Sequence, residues 1–181
     1  EKMTGRAYPV LDAYRMEDAE VGMVLLDSAA ETAKETADAL RAKGKRVGVL
    51  SPNVLRPFPA EAFRRALRPV KAVTIGDRAD SYGAGGGNLS LEVRAAIQID
   101  PQNDTKVLSR IYGLGGKDFY AADAAQFFEQ AIAAAQTGRV AEPFAYHGAT
   151  PGRPDSRPRT GLPPLTAAEV SRGMAQVHRD E

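Results

Sequence analysis

The chain has no cysteine, no tryptophan and only two histidines among its 181 residues. Without cysteine it forms no disulfide, thiolate metal site or cysteine-ligated iron–sulfur cluster of its own. The same absence fits a reducing compartment, and the cytoplasm is the expected location. His147 and His178 lie far apart in a polar C-terminal stretch. They make neither a metal site nor a catalytic pair and read as solvated side chains. Charge of one sign is also lacking: 24 basic residues stand against 23 acidic, a formal net charge of +1. That balance offers no electrostatic reason for nucleic acid or an anionic membrane as the main partner. No apolar run approaches the roughly 20 residues that span a bilayer. The first 20 residues lack the apolar core of a signal peptide. The chain begins with Glu1, which reads as a processed chain or a piece of something longer.

What is present is an ordinary globular composition, 43% hydrophobic. The pattern divides into a leading segment 1–20, an α/β unit 21–140 and a tail 141–181 rich in Pro, Gly and Arg, with a candidate helix at 166–178. Within the leading segment, YPVLDAY reads as a short strand with Tyr8, Val10 and Leu11 as apolar contacts. The middle unit alternates strand and helix. VGMVLLD is a continuous apolar run, as in a strand buried on both faces. Ser28 stands at the N-cap position of the next helix, whose apolar face is Ala29, Ala33, Ala37 and Leu40, with Gly44 as the stop. RVGVLS, KAVTIGD and KVLSRIYGLGG are further strands. PAEAFRRALRP, NLSLEVRAAIQ and AADAAQFFEQAIAAAQTG are the helices between and after them. Such alternation predicts a mostly parallel sheet with helices on both faces and right-handed crossovers.

In such a sheet, ligands gather at the carboxy ends of the strands. The most conspicuous loop there is SYGAGGGN. It fails the dinucleotide pattern, because Asn88 stands where the third glycine belongs and the loop follows the wrong strand. IYGLGGKD fails the P-loop pattern at Ile111 and Asp118. An anion site at the amides of Gly85–Asn88 is one reading. The preferred reading is that Gly83, Gly85, Gly86 and Gly87 allow a close backbone approach and that Asn88 caps the helix. Asp77, Arg78, Ser81 and Tyr82 lie on the same loop, and Arg56 and Phe58 on the rigid RPFP turn. All are candidate interface or loop-positioning groups. Arg64, Arg65 and Arg68 read as a solvated helix face. There is no G-x-S-x-G and no histidine within the α/β unit. No catalytic, cofactor-binding or metal residue is therefore assigned.

Together, the stretch from TGRAYPVLDAYRMEDAE through LSPNVLRPFPAEAFRRAL, the segment KAVTIGDRADSYGAGGGNLSLEVRAAI and the turn IYGLGGKDF resemble 2-oxoacid:ferredoxin oxidoreductases, pyruvate:ferredoxin oxidoreductase above all. The resemblance spans about residues 4–135 and rests on the order and spacing of LRPFP, DR…SYG…EVRAA and YGLGG. It implies a domain similar to the C-terminal domain of transketolase: a three-layer α/β/α sandwich whose mostly parallel sheet includes one antiparallel strand. It further implies a chain that serves assembly, with thiamine diphosphate, iron–sulfur clusters and coenzyme A on partner domains or subunits. The whole complex would decarboxylate a 2-oxoacid and reduce ferredoxin. This sequence departs from that pattern in its GAGGGN loop, its Pro/Arg-rich tail and the missing thiamine-binding domain ahead of it. Two other readings stand beside this one: a stand-alone small-ligand or nucleotide-binding module, and the same domain of another transketolase-like thiamine enzyme.

Overall fold

A computed structural model describes residues 3–5 and 7–149 of the chain. Its frame is a six-stranded sheet of order β1-β3-β2-β4-β5-β6. The strands are β1 (Leu11–Tyr14), β2 (Val21–Val24), β3 (Val47–Pro52), β4 (Ala72–Asp77), β5 (Lys106–Ile111) and β6 (Phe144–Tyr146). Only β1 is antiparallel, with Leu11 opposite Pro52 and Tyr14 opposite Val49; the other neighbours run parallel. The helices are α1 (Asp27–Arg41), α2 (Ala60–Leu67), α3 (Asn88–Gln98) and α4 (Ala121–Thr137). This is the three-layer, mostly parallel sandwich that the alternation of strands and helices predicts.

Strand alternation divides the core in two, because successive side chains point to opposite faces. Met23, Leu25, Val47 and Val49 meet the alanine face of α1 and Phe127 and Phe128 of α4. Val24, Leu50, Val73 and Ile75 meet Phe63 and Leu67 of α2 and Leu89, Val93 and Ile97 of α3. Small residues set the spacing. A side chain at Gly48 would sit 2.6 Å from the Arg15 carbonyl and from Met16 Sδ, so the β1–β2 connection lies directly on β3.

Several sequence expectations are corrected. The β1 strand forms, but Tyr8 and Val10 ahead of it are exposed and only Leu11 packs on the core. No side chain caps α1, which starts at Asp27, one residue before Ser28. The sheet also continues into Phe144–Tyr146, within the stretch 141–181 read as tail. Two buried or half-buried arginines hold that strand. Arg110 donates to the carbonyls of Ser109 and Glu142 at 2.8 and 3.1 Å, and Arg94 to that of Pro143 at 3.2 Å. Burial lowers the pKa of both guanidinium groups.

His147 is not a solvated side chain. It is half-buried, its Nε2 lies 2.7 Å from Asp123 Oδ1, and its ring meets the edge of Phe127. Burial alone would raise the Asp123 carboxyl, but hydrogen bonds from His147 and from the Tyr120 amide outweigh it and hold its pKa low. Arg68 stays on the exposed helix face, as read, and from there grips the buried Asp100 through two nitrogens, at 2.8 and 3.0 Å. His178 and the candidate helix at 166–178 lie outside the described residues.

Phe127 is fully buried and touches Tyr112, Phe119 and His147. Phe127→Ala is expected to cost about 3–5 kcal/mol, measured by urea denaturation of the purified chain.

Candidate functional site at the carboxy edge of the sheet

The crossover direction reverses at β2: the chain leaves β2 for α1 on one face and leaves β4 for α3 on the other. Crevices in open α/β sheets form at such a point. Here a cleft of about 500 Å³ opens between the ends of β2 and β4. Its walls are the head of α1, the β3–α2 turn, the end of β4, the head of α3 and Tyr112 after β5.

Asp77 organises the cleft. Its Oδ1 accepts from the Leu89 amide at 2.8 Å. Its Oδ2 accepts from the Ser90 amide at 3.1 Å and the Ser90 hydroxyl at 2.8 Å. Ser109 Oγ then donates to Ser90 Oγ at 2.8 Å, tying β5 to the same cluster. A carboxylate on the first amides of a helix is a charge-assisted cap. Asp77, from the preceding strand, therefore caps α3, and Asn88 does not. Asn88 Oδ1 instead accepts from Ser81 Oγ at 2.8 Å. The amides that Asp77 takes are those of Leu89 and Ser90, which follow the Gly85–Asn88 amides of the anion reading.

The glycines divide by role. A Cβ at Gly87 would overlap the Asp77 side chain, and one at Gly86 would sit 2.9 Å from Ser109 Oγ. Gly83 and Gly85 have φ of 79° and 68° with open space around them, so their freedom serves the turn. The loop closes on itself through Ser81 N to Gly86 O, at 3.3 Å. Tyr82 is left 94% exposed at its tip.

Arg56 Nη2 lies 2.8 Å from Glu92 Oε1 and bridges the cleft mouth from the β3–α2 turn to α3. Phe58 stacks on Phe63 at 5.1 Å. Arg78 lies 5.8 Å from the centre of the buried Tyr112 ring. Burial raises the Tyr112 phenol to about 12; Arg78 lowers it somewhat, while Asp77 and Asp27 add to the rise. Arg56, Phe58, Asp77, Arg78 and Asn88 thus meet at one cleft, whereas Ser81, Tyr82, Gly83, Gly85, Gly86 and Gly87 lie outside its lining. Asp27, Glu92 and Tyr112 were not legible as site residues. Glu92 is one of many helix acids, and Tyr112 announces itself only by ending a strand just before Gly113.

The donors present do not fit a cysteine-ligated iron–sulfur cluster. The sequence has no cysteine. Among the described residues no three His, Asp or Glu side chains converge. No described helix is long and apolar enough to cross a membrane.

Asp77→Ala would strand buried amides and is expected to cost about 1–3 kcal/mol. Asp77→Asn, which keeps one acceptor, costs less; urea unfolding compares the two. Tyr112 carries a second expectation. With its folded pKa above the unfolded value, its contribution is complete below about pH 10 and is lost as pH rises toward 12. Tyr112→Phe should flatten the fall in stability between those pH values, read as urea midpoint against pH.

Residues 19–124 match the family model described as pyruvate:ferredoxin oxidoreductase core domain II. Among curated proteins the chain is similar to the pyruvate synthase subunit PorA of Methanothermobacter thermautotrophicus. The two are 40% identical over 117 residues, which cover 65% of this chain and 29% of that one. The chain spans about a third of the length of the PorA relatives it matches. Two solved structures share the fold. A 2-oxoglutarate:ferredoxin oxidoreductase from Magnetococcus marinus has a TM-score of 0.53 at 21% identity, over 69% of this chain and 20% of that one. A split-gene transketolase has a TM-score of 0.51 at 20% identity, over 65% and 39%. The sheet order, the single antiparallel strand and the extent of the family match lead to one conclusion: the chain belongs to the pyruvate:ferredoxin oxidoreductase core domain II family.

Proposed function

We propose that this chain is a non-catalytic assembly subunit or domain of a thiamine-diphosphate-dependent 2-oxoacid:ferredoxin oxidoreductase. Thiamine diphosphate, the iron–sulfur clusters and coenzyme A belong to partner domains or subunits, and ferredoxin receives electrons through the complex. The reading places the complex in the cytoplasm, and gives the chain no contact of its own with nucleic acid or membrane. One observation carries it: Asp77, Arg56 and Arg78 at the cleft are turned to internal structure, and of the cleft's carboxylates only Asp27 has no hydrogen bond or ion pair among the described residues. Asp77 caps α3, Arg56 pairs with Glu92 and Arg78 lies over Tyr112. A catalytic acid or base needs a free lone pair or proton within reach of a substrate, and these groups are held away from that work. Assembly runs through the Arg56–Pro59 turn and the Asp77–Asn88 loop, and through the tail, whose residues from 150 onward lie outside the described residues.

The test is recovery of the native chain from its own cells, with mass spectrometry and iron and thiamine assays on the eluate. The expected outcome is co-recovery with a thiamine-binding chain and a cysteine-rich iron–sulfur chain. Recovery with a synthase half and no iron would assign it to another transketolase-like enzyme. Recovery alone, without iron or thiamine, would leave the cleft as a small-ligand site and overturn the assembly reading.

A further inference from the structure

The cleft between the ends of β2 and β4 holds three polar groups whose bonding capacity the fold leaves open. The first is the Tyr112 hydroxyl. Tyr112 is 2% exposed and lines the cleft, yet no hydrogen bond reaches its oxygen among the described residues. A buried phenol usually has a partner. The oxygen is not among the enclosed, unpaired side-chain atoms, which are Arg94 Nε and Asn103 Nδ2, so it opens on the cleft that the residue lines. Burial raises the phenol to about 12, which keeps it protonated at neutral pH and able to donate.

The second group is the Asp27 carboxylate. It is exposed in the cleft wall, and no hydrogen bond or ion pair reaches it among the described residues. Its residue has a φ of 51° at the head of α1, a conformation uncommon for a residue with a side chain. The third is the Arg78 guanidinium. It donates to the Lys117 carbonyl at 3.4 Å and lies 5.8 Å from the centre of the Tyr112 ring. Both are neutral partners, so its charge is not cancelled, and no ion pair joins it to Asp27.

The other charges of the cleft have partners. Arg56 is paired with Glu92, and Asp77 is held by the α3 amides and the Ser90 hydroxyl. Asp80, Asp118 and Lys117 on the same edge also keep their charges, but they do not line the cleft. The cleft therefore offers one free anion and one free cation, and both bear on the Tyr112 phenol. Its walls are otherwise largely apolar, with Leu26, Leu55, Phe58 and Leu89. A volume of about 500 Å³ at the switch point of an open sheet suits a small molecule.

We propose that this cleft binds a small zwitterion with an apolar body, an α-amino acid of the size of leucine or phenylalanine. The ligand's ammonium pairs with Asp27. Its carboxylate takes Arg78 and the Tyr112 hydroxyl, and its side chain lies against Leu55, Phe58 and Leu89. The opposite charges select this occupant. A simple amine would leave Arg78 without a counter-charge, and a 2-oxoacid would leave Asp27 without one, each in a largely apolar enclosure. A nucleotide would set several negative charges beside Asp27, Asp77 and Glu92 with one free guanidinium to meet them. The site goes beyond the assembly reading and does not depend on it.

Isothermal titration calorimetry of the full purified chain tests this with L-leucine, L-phenylalanine, isoamylamine and α-ketoisocaproate. One or both amino acids are expected to bind with a Kd of about 1 mM or below. The amine and the oxoacid, each lacking one of leucine's charged groups, are expected to bind about tenfold more weakly than leucine. Asp27→Asn and Arg78→Gln, both at exposed positions, are each expected to weaken the amino acid about tenfold, with the melting temperature of the ligand-free chain unchanged. Three outcomes overturn the proposal: no saturable binding of either amino acid, binding of the amine or the oxoacid as tight as that of leucine, or undiminished binding by either variant. None of them touches the assembly reading, which the recovery experiment above decides by itself.

Discussion

The carboxylate of Asp77 is the interaction on which the rest of the carboxy edge depends. It ends β4, a strand buried along its whole length, and satisfies two amides and a hydroxyl of α3. A helix start without such acceptors leaves several backbone donors unpaired, a severe cost once they are buried. Placing the acceptor on the strand rather than on the helix draws the α3 head onto the sheet. Gly87 is then obligatory, since a side chain there would occupy the space of Asp77. The ten residues 78–87 must leave the strand and return to that anchored head, and the loop they form carries Tyr82 outward.

The same economy governs the other elements at this edge. A strand of three residues cannot hold itself in a sheet, and β6 is seated by groups from several elements. Arg110 reaches it from β5 and Arg94 from α3, while the His147–Asp123 contact fastens the following residues to α4. Carbonyl oxygens accept hydrogen bonds from both guanidinium groups, while Arg94 Nε stays buried without a partner among the described residues. Much of the polar inventory at this edge is thus used in positioning loops, and exposed aromatic and aliphatic side chains stand beside it.

Much of the fold was legible. The apolar runs of β2, β3 and β4 and the alanine face of α1 name the layers, because a strand covered on both faces has no polar positions to spare. A strand at β1 was legible from YPVLDAY, its antiparallel direction only through the family resemblance, and the α3 bounds from NLSLEVRAAIQ. The caps were less legible. Ser28 and Asn88 are ideal N-cap types in the expected places, yet α1 has no side-chain cap and α3 takes its cap from a residue eleven positions upstream of Asn88. A cap needs an acceptor in space, and local sequence cannot report one that arrives from a neighbouring strand.

By itself the sequence determined the alternation of elements, the placement of apolar residues on two sheet faces and the lack of thiolate chemistry. These follow from periodicity and composition, which are local or additive properties. It also placed Arg56, Phe58, Asp77 and Arg78 on carboxy-end loops, since loop position follows from strand direction. Only the tertiary structure decided that these four share one cleft with Glu92, Tyr112 and Asp27. It alone turned His147 from a tail residue into a half-buried partner of Asp123. It alone added β6 from FAY, three residues too short to show a period. The reason is the same in each case. Which groups meet depends on strand order and crossover direction, and residues distant in sequence acquire a common environment only when the sheet is assembled.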